Sequence, residues 1–201
     1  MPELPRVQAL KPRIRAAFDD PKWLFEPKYH GFRGMLRINK DQAYFQSKSG
    51  KPMPRFDWLA KKLQQGLKVH NAILDGEIAA LHPVTGHPMF GHLLRNQREY
   101  IVYVAFDLLF LNGCDLRSEP LIRRKQKLAK LLQGQDLTLV IGCCVGTGRA
   151  LYQWICLRDL EGIVAKRITD PYTPQTIWYK IKNPKYSQRN IGKIFQKQKP
   201  R

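Results

Sequence analysis

The segment YIVYVAFDLLFLNG, residues 100–113, is the most apolar run in the chain and closes on Asn-Gly. A run this apolar and this short reads as the central strand of a sheet, which makes a sheet the organising element of the fold. AILDGEIAAL (72–81) reads as another strand by its flanking apolar residues, and HPVTGHP after it is rich in turn formers. Upstream, WLFEPKY, GMLRI and AYFQS, with a turn at NKD, have the alternation of an antiparallel meander. RFDWLAKKLQQGL sets Phe56, Leu59, Leu63 and Leu67 at helical spacing. LIRRKQKLAKLLQ and GRALYQWICLRDL are amphipathic helices separated by a short strand, LTLVIG, and GIVAKRI and TIWYKIKN read as two last strands. The strands often follow one another with no helix to cross over. The class is therefore α+β, with mostly antiparallel sheets packed with helices.

At 201 residues and 43% hydrophobic composition the chain supports one substantial domain with a core, which excludes wholesale disorder. Its charge narrows the partners. A formal net charge of +19 points to nucleic acid, nucleotides or an anionic membrane surface, the alternative being a basic surface kept for solubility. From Pro171 to Arg201 there are eight lysines or arginines and no acidic residue, so the end of the chain reads as a basic arm or an element that lies on a polyanion. No apolar run has the length of a membrane span and the N-terminus has no continuous apolar core, so the expected setting is cytoplasmic with no membrane partner. Cys114, Cys143, Cys144 and Cys156 lack C-x-x-C spacing and are expected as buried free thiols.

The chemistry-bearing residues fall in pairs. On a strand, Glu26 and Lys28 share a face, and a lysine becomes a nucleophile when neighbouring cations or desolvation favour its neutral form. Lys180 and Lys182 lie on one strand face beside Trp178 and are more plausible opposite a phosphate chain than unpaired. Asp75 and Glu77 share a face that could hold a divalent metal or a ribose hydroxyl, or be a solvated edge. Glu161 and Lys166 are an odd number apart, so both reach one site only if Glu161 sits on the turn before the strand or Gly162 allows a bulge. Phe106 alone reads as core filler.

In order along the chain, KYHGFR, SKSG, LDGEIA, FDLLFLNG, EGIVAK and WYKIK, from residue 28 to residue 182, resemble the successive motifs of the adenylation domain of ATP-dependent DNA ligases. That domain belongs to the covalent nucleotidyltransferases, with RNA ligases and mRNA capping enzymes. DDPKWLFEPKYHGFR, DPYTP and KNPKYSQ look most like bacterial ligases found alone or fused in end-joining proteins. The resemblance implies an ATP-grasp-like nucleotidyltransferase fold over residues 1–185, with 186–201 a basic tail. It implies that Lys28 attacks the α-phosphorus of ATP to form a lysyl-AMP, with Mg²⁺ as cofactor. It further implies that Glu26 contacts the adenine amino group, Phe106 stacks on the purine, and Arg33 and Lys48 lie near the ribose. Glu77 and Glu161 would serve the ribose or the metal, and Lys166, Lys180 and Lys182 the phosphates. The implied substrate is nicked or broken duplex DNA; RNA, or a binding module without complete ligation, are the competing readings. Two positions depart from the family pattern: His30 stands where an acidic residue is usual, and Lys48 where arginine is usual. Only 19 residues follow Lys182, too few for the OB-fold domain of complete ligases, so a separate OB-fold or end-joining protein is an expected partner.

Overall fold

Strands and helices alternate irregularly along the chain, and the computed structural model describes residues 4–40 and 42–192. In chain order the elements are β1 (Arg13–Ile14), β2 (Asp20–Pro27), β3 (Phe32–Asn39), β4 (Gln42–Ser47), α1 (Asp57–Gly66), β5 (Asn71–Ala80), α2 (Phe90–Arg95) and β6 (Ile101–Leu111). They continue with β7 (Cys114–Asp115), α3 (Leu121–Leu131), β8 (Thr138–Val140), β9 (Cys144–Gly146), α4 (Gly148–Leu157), β10 (Gly162–Arg167) and β11 (Tyr179–Lys182). Two sheets form. One has the order β1-β11-β10-β2-β9; the other runs β4-β3-β5-β6-β7, with β8 added to β6. The β1/β11 and β6/β8 pairs are parallel and the remaining ladders antiparallel, in agreement with the α+β reading. The expected meander is corrected: of its three strands only β3 and β4 pair as neighbours, while β2 joins the other sheet between β10 and β9.

The second sheet carries apolar side chains on both faces because β3, β5 and β6 are near-continuous apolar runs. On one face Leu36, Ile38, Leu74, Ile78, Tyr103 and Ala105 pack with Leu59 and Leu63 of α1 and Leu128 of α3. On the other, Met35, Ile73, Ala79, Val104 and Phe106 meet Tyr172 and Trp178. Strand alternation therefore sends Arg33, Asp75 and Glu77, odd-numbered like Met35 and Ile73, to this second face. The first sheet is backed by α4, through Trp23, Phe25, Ile155, Ile163 and Ile181. Its opposite face looks toward the polar residues of the second sheet.

Close backbone approach fixes the entrance. A Cβ on Gly31 would lie 2.2 Å from the Ile78 carbonyl oxygen, and one on Gly162, whose φ is +147°, would lie 2.1 Å from that of Ile181. Asn112 and Gly113 both have positive φ, which turns β6 into β7. Lys40 also has positive φ at the expected NKD turn, whose Asp41 lies outside the described residues. The expectation of buried thiols is corrected: Cys114 and Cys143 are exposed and Cys144 and Cys156 half-buried, because they occupy a hairpin edge, the β8/β9 loop, an edge strand and a helix with one solvent face. Within the basic tail, residues 193–201 lie outside the described residues. Among the described residues no helix is long and apolar enough to cross a membrane.

Candidate active site

Between the sheets is a cleft of about 450 Å³ lined by Glu26, Lys28, Arg33, Lys48, Glu77, Phe106, Glu161, Lys166, Trp178 and Lys180, among others. Each arrives by a short chain of local causes. β2 ends at Pro27, and Lys28 follows it with its backbone N–H donating to Gly162 O at 2.8 Å. The expected strand face thus holds for Glu26, while Lys28 sits one residue beyond the strand. Glu161 precedes β10, and Gly162 has the backbone conformation that lets Glu161 and Lys166 reach one cleft despite their odd spacing. The result is a 2.7 Å ion pair between Lys28 Nζ and Glu161 Oε2, both partly accessible.

Deeper in, β10 sets Val164 beside Glu26 of β2 and beside Lys180 of β11. The Glu26 carboxylate is 1% exposed and lies between two ammonium groups, Lys166 Nζ at 2.6 Å from Oε2 and Lys125 Nζ against Oε1. Burial alone would raise the Glu26 pKa, but the two lysines outweigh it and hold the carboxyl below its usual range. Lys166 is itself buried, and burial pushes its pKa down against the pull of Glu26. Its Nζ lies 4.2 Å from the Phe106 ring centroid and 4.3 Å from that of Trp178, so two aromatic faces supply part of the solvation it has lost.

Phe106 reaches the cleft through a register shift. Asp75 pairs with Asp107 and the next residue, Gly76, with Ala105, leaving Phe106 over on β6. Arg33 lies across the same ring, its guanidinium carbon 4.5 Å from the centroid, and is held by two hydrogen bonds to Asp75 of 2.6 and 2.5 Å. Asp75 accepts a third, 2.7 Å, from the Tyr172 hydroxyl. Of the acidic pair on β5, Asp75 is therefore engaged in anchoring Arg33, and Glu77 is the one that lines the cleft. Burial raises the Glu77 carboxyl to about 7, opposed by Lys28 and Arg33 and reinforced by Glu161 and Asp75.

The remaining predicted residues divide. Lys48, on the turn after β4, and Lys180 line the cleft, whereas Lys182, at the end of β11, is exposed and outside its lining. His30 stacks on Phe90, ring centroids 3.9 Å apart and 10° from parallel, with Nδ1 3.2 Å from the Tyr186 hydroxyl. Burial lowers its pKa, partly offset by Glu161 and reinforced by Lys28. Among the described residues no group of three or more His, Cys, Asp or Glu is arranged around a metal position. Glu77 and Glu161 both line the cleft as carboxylates.

Lys125, Phe90 and Tyr186 were not singled out in the sequence. Lys125 left a signal: Leu121, Lys125, Leu128 and Leu132 follow the i, i+4, i+7, i+11 spacing of one helix face, and the three leucines are buried. A lysine on an apolar stripe needs a buried counter-ion.

Two sheets thus enclose a cleft with a partly accessible lysine and, deeper in, a buried carboxylate between two lysines. Residues 7–182 match the family of the ATP dependent DNA ligase domain, and the chain belongs to that family. It is 28% identical, over 95% of its length, to the multifunctional non-homologous end joining protein LigD of Pseudomonas aeruginosa, and 29% identical, over 75%, to a probable DNA ligase of Dictyoglomus turgidum. It spans 26% and 29% of those two proteins. Among solved structures it superposes on a mycobacterial DNA ligase D complexed with ATP and MES, with a TM-score of 0.72 and 27% identity, covering 88% of this chain and 60% of that one. The ligase domain of Mycobacterium tuberculosis LigD gives a TM-score of 0.69 at 27% identity, covering 86% and 59%.

Proposed function

We propose that this domain transfers AMP from ATP to Lys28 and then to the 5′-phosphate of a nick or break in duplex DNA. The observation that carries this reading is the position of Lys28 Nζ, partly accessible at the mouth of a cleft whose inner wall holds Glu26, Phe106 and Lys166. In the proposed step the Lys28 nitrogen forms a bond to the α-phosphorus, the bond from that phosphorus to the bridging oxygen breaks, and pyrophosphate leaves. The proton lost from Nζ has Glu161 Oε2 within 2.7 Å to receive it. Phe106 offers a ring for the purine, Glu26 an acceptor for its amino group, and Arg33 and Lys48 line the cleft near the ribose. Lys166 and Lys180 supply positive charge facing the phosphates, which the transition state needs. Lys182, outside the cleft lining, contributes charge toward DNA rather than toward the nucleotide.

Glu77 and Glu161 are the residues that would hold Mg²⁺, which neutralises charge on the phosphates when bound. The relatives named as DNA ligases favour DNA over RNA, and those named for end joining favour breaks as well as nicks. The proposed division is an adenylation domain to Lys185 with a basic tail beyond it, whose first residues pack back on the domain, Tyr186 being 2% exposed and Gln188 bonded to Phe90 N and Pro88 O. A cytoplasmic, reducing setting accords with the four free thiols.

The test is intact mass before and after incubation with ATP and Mg²⁺. An AMP-sized gain in the natural sequence, absent from Lys28→Ala, supports the assignment; a gain that survives the substitution refutes Lys28 as the nucleophile.

A further inference from the structure

We propose that Lys125 is the positioning residue that fixes Glu26 as an ionised, acceptor-only group and so selects a purine bearing an amine at C6 over one bearing a carbonyl there. The inference rests on the reading of the cleft as a nucleotide site and extends it to a residue outside the cleft lining.

The geometry separates the roles of the two lysines on Glu26. Lys166 lines the cleft and lies over Phe106 and Trp178, so it can meet the nucleotide itself. Lys125 projects from α3, is 7% exposed, and meets Glu26 at the other carboxylate oxygen, Oε1. From behind the carboxylate, its influence on a bound base passes through Glu26.

The chemistry follows from what a carboxyl group can do in each state. Ionised, it accepts hydrogen bonds and repels a carbonyl oxygen; protonated, it can also donate one. An exocyclic amine at C6 is a donor and matches the ionised form. A carbonyl at C6 is an acceptor and matches only the protonated form. At 1% exposure Glu26 is driven toward the protonated form by burial, and Lys125 is one of the two charges opposing this. Without Lys125, Oε1 is left buried with no counter-ion and Glu26 has only Lys166, an arrangement that admits a proton and lets the carboxyl swing toward the remaining lysine. Both effects blur the distinction between an amine and a carbonyl.

The experiment compares ATP with ITP, its 6-oxo counterpart, for the natural sequence, Lys125→Met and Lys125→Arg. Initial rates of adduct formation are read by intact mass, and equilibrium binding by intrinsic tryptophan fluorescence. A site that hydrogen-bonds a substrate group discriminates strongly against an analogue lacking it, so the natural sequence should prefer ATP by at least about 10-fold in KM. Lys125→Met should bring the ratio within about 3-fold, chiefly by raising KM for ATP with kcat changed less, and Lys125→Arg should restore it. If Lys125→Met fails to fold by circular dichroism, Lys125→Gln, which keeps a donor and loses the charge, takes its place. A folded, uncharged variant that retains the ATP preference overturns the proposal, as does a natural sequence with no preference in either assay. If no adduct forms with either nucleotide, yet binding prefers ATP and the substitution erases that preference, the adenylation reading falls while the role of Lys125 stands.

Discussion

Glu77 faces charges of both signs, and its carboxyl is raised to about 7 chiefly by burial. Its folded pKa exceeds the ordinary 4.5, so the stability it contributes is complete below about 4.5 and is lost as pH rises through about 7. Glu77→Gln should therefore leave the melting temperature unchanged near pH 4 and raise it near pH 8, by an amount equivalent to about 1–3 kcal/mol after allowance for partial exposure. His30 has the opposite sign. Its pKa is lowered by burial, so its stability contribution is complete above 6.5 and lost as pH falls. His30→Phe keeps a ring over Phe90 but removes the nitrogen facing Tyr186. We expect urea midpoints to show His30→Phe less stable at pH 7.5 by about 1 kcal/mol, with the gap narrowing at pH 5. A gap that widens in acid would contradict this. At this scale the sequence revealed residues whose neighbours along the chain share a motif, such as Glu26 with Lys28 and Asp75 with Glu77. It did not reveal that Asp75 is engaged by Arg33 and Tyr172, nor that Glu26 has a second lysine, since those partners come from β3, the connection between β10 and β11, and α3, all distant in the chain.

The element that controls the site is β6. Its register shifts against β5 near Asp75 and Asp107. The strand thereby presents Phe106 to the cleft and Asp107 to α3, where Arg124 Nε and Nη2 donate to its two oxygens at 2.8 and 2.9 Å. Both residues are 0% exposed, and Arg124 also reaches the carbonyl oxygens of Glu119 and Asp170. This pair docks the helix that carries Lys125, so it bears on Glu26 indirectly. Arg124→Met should cost about 3–5 kcal/mol in denaturant unfolding, because it leaves Asp107 buried without a counter-ion. Combining it with Asp107→Leu should recover much of that loss; a double variant as unstable as the sum of the singles would show that the two residues act independently. Long strands and helices were legible because their periodicity extends over many residues, as in β3, β5 and α1. β1, β9 and α2 were not, being two, three and six residues long, too short for a period to register. The partition into two sheets was also hidden. It depends on pairings such as β2 with β10 and β1 with β11, whose residues lie far apart in the chain.

Across the whole molecule the governing quantity is charge. A net charge of +19 on 201 residues exceeds what the nucleotide cleft consumes, since the cleft's lysines are balanced in part by Glu26, Glu77 and Glu161. Exposed basic residues such as Lys182 remain to meet a polyanion. Each DNA phosphate neutralised releases condensed counter-ions, so the logarithm of affinity falls linearly with the logarithm of salt concentration. Contacts to three or more phosphates would weaken binding to a nicked duplex by at least about 40-fold between about 50 and 200 mM salt. Lys28→Ala should show the same slope and nearly the same affinity, because it removes one charge already paired with Glu161 and leaves the outer surface intact. Fluorescence anisotropy across a salt series measures both quantities. A flat salt response would remove the surface charge from the account of DNA binding. An equal slope with a large loss of affinity would instead place Lys28 in the DNA contact, so that the cleft and the basic surface could not be treated as separate devices.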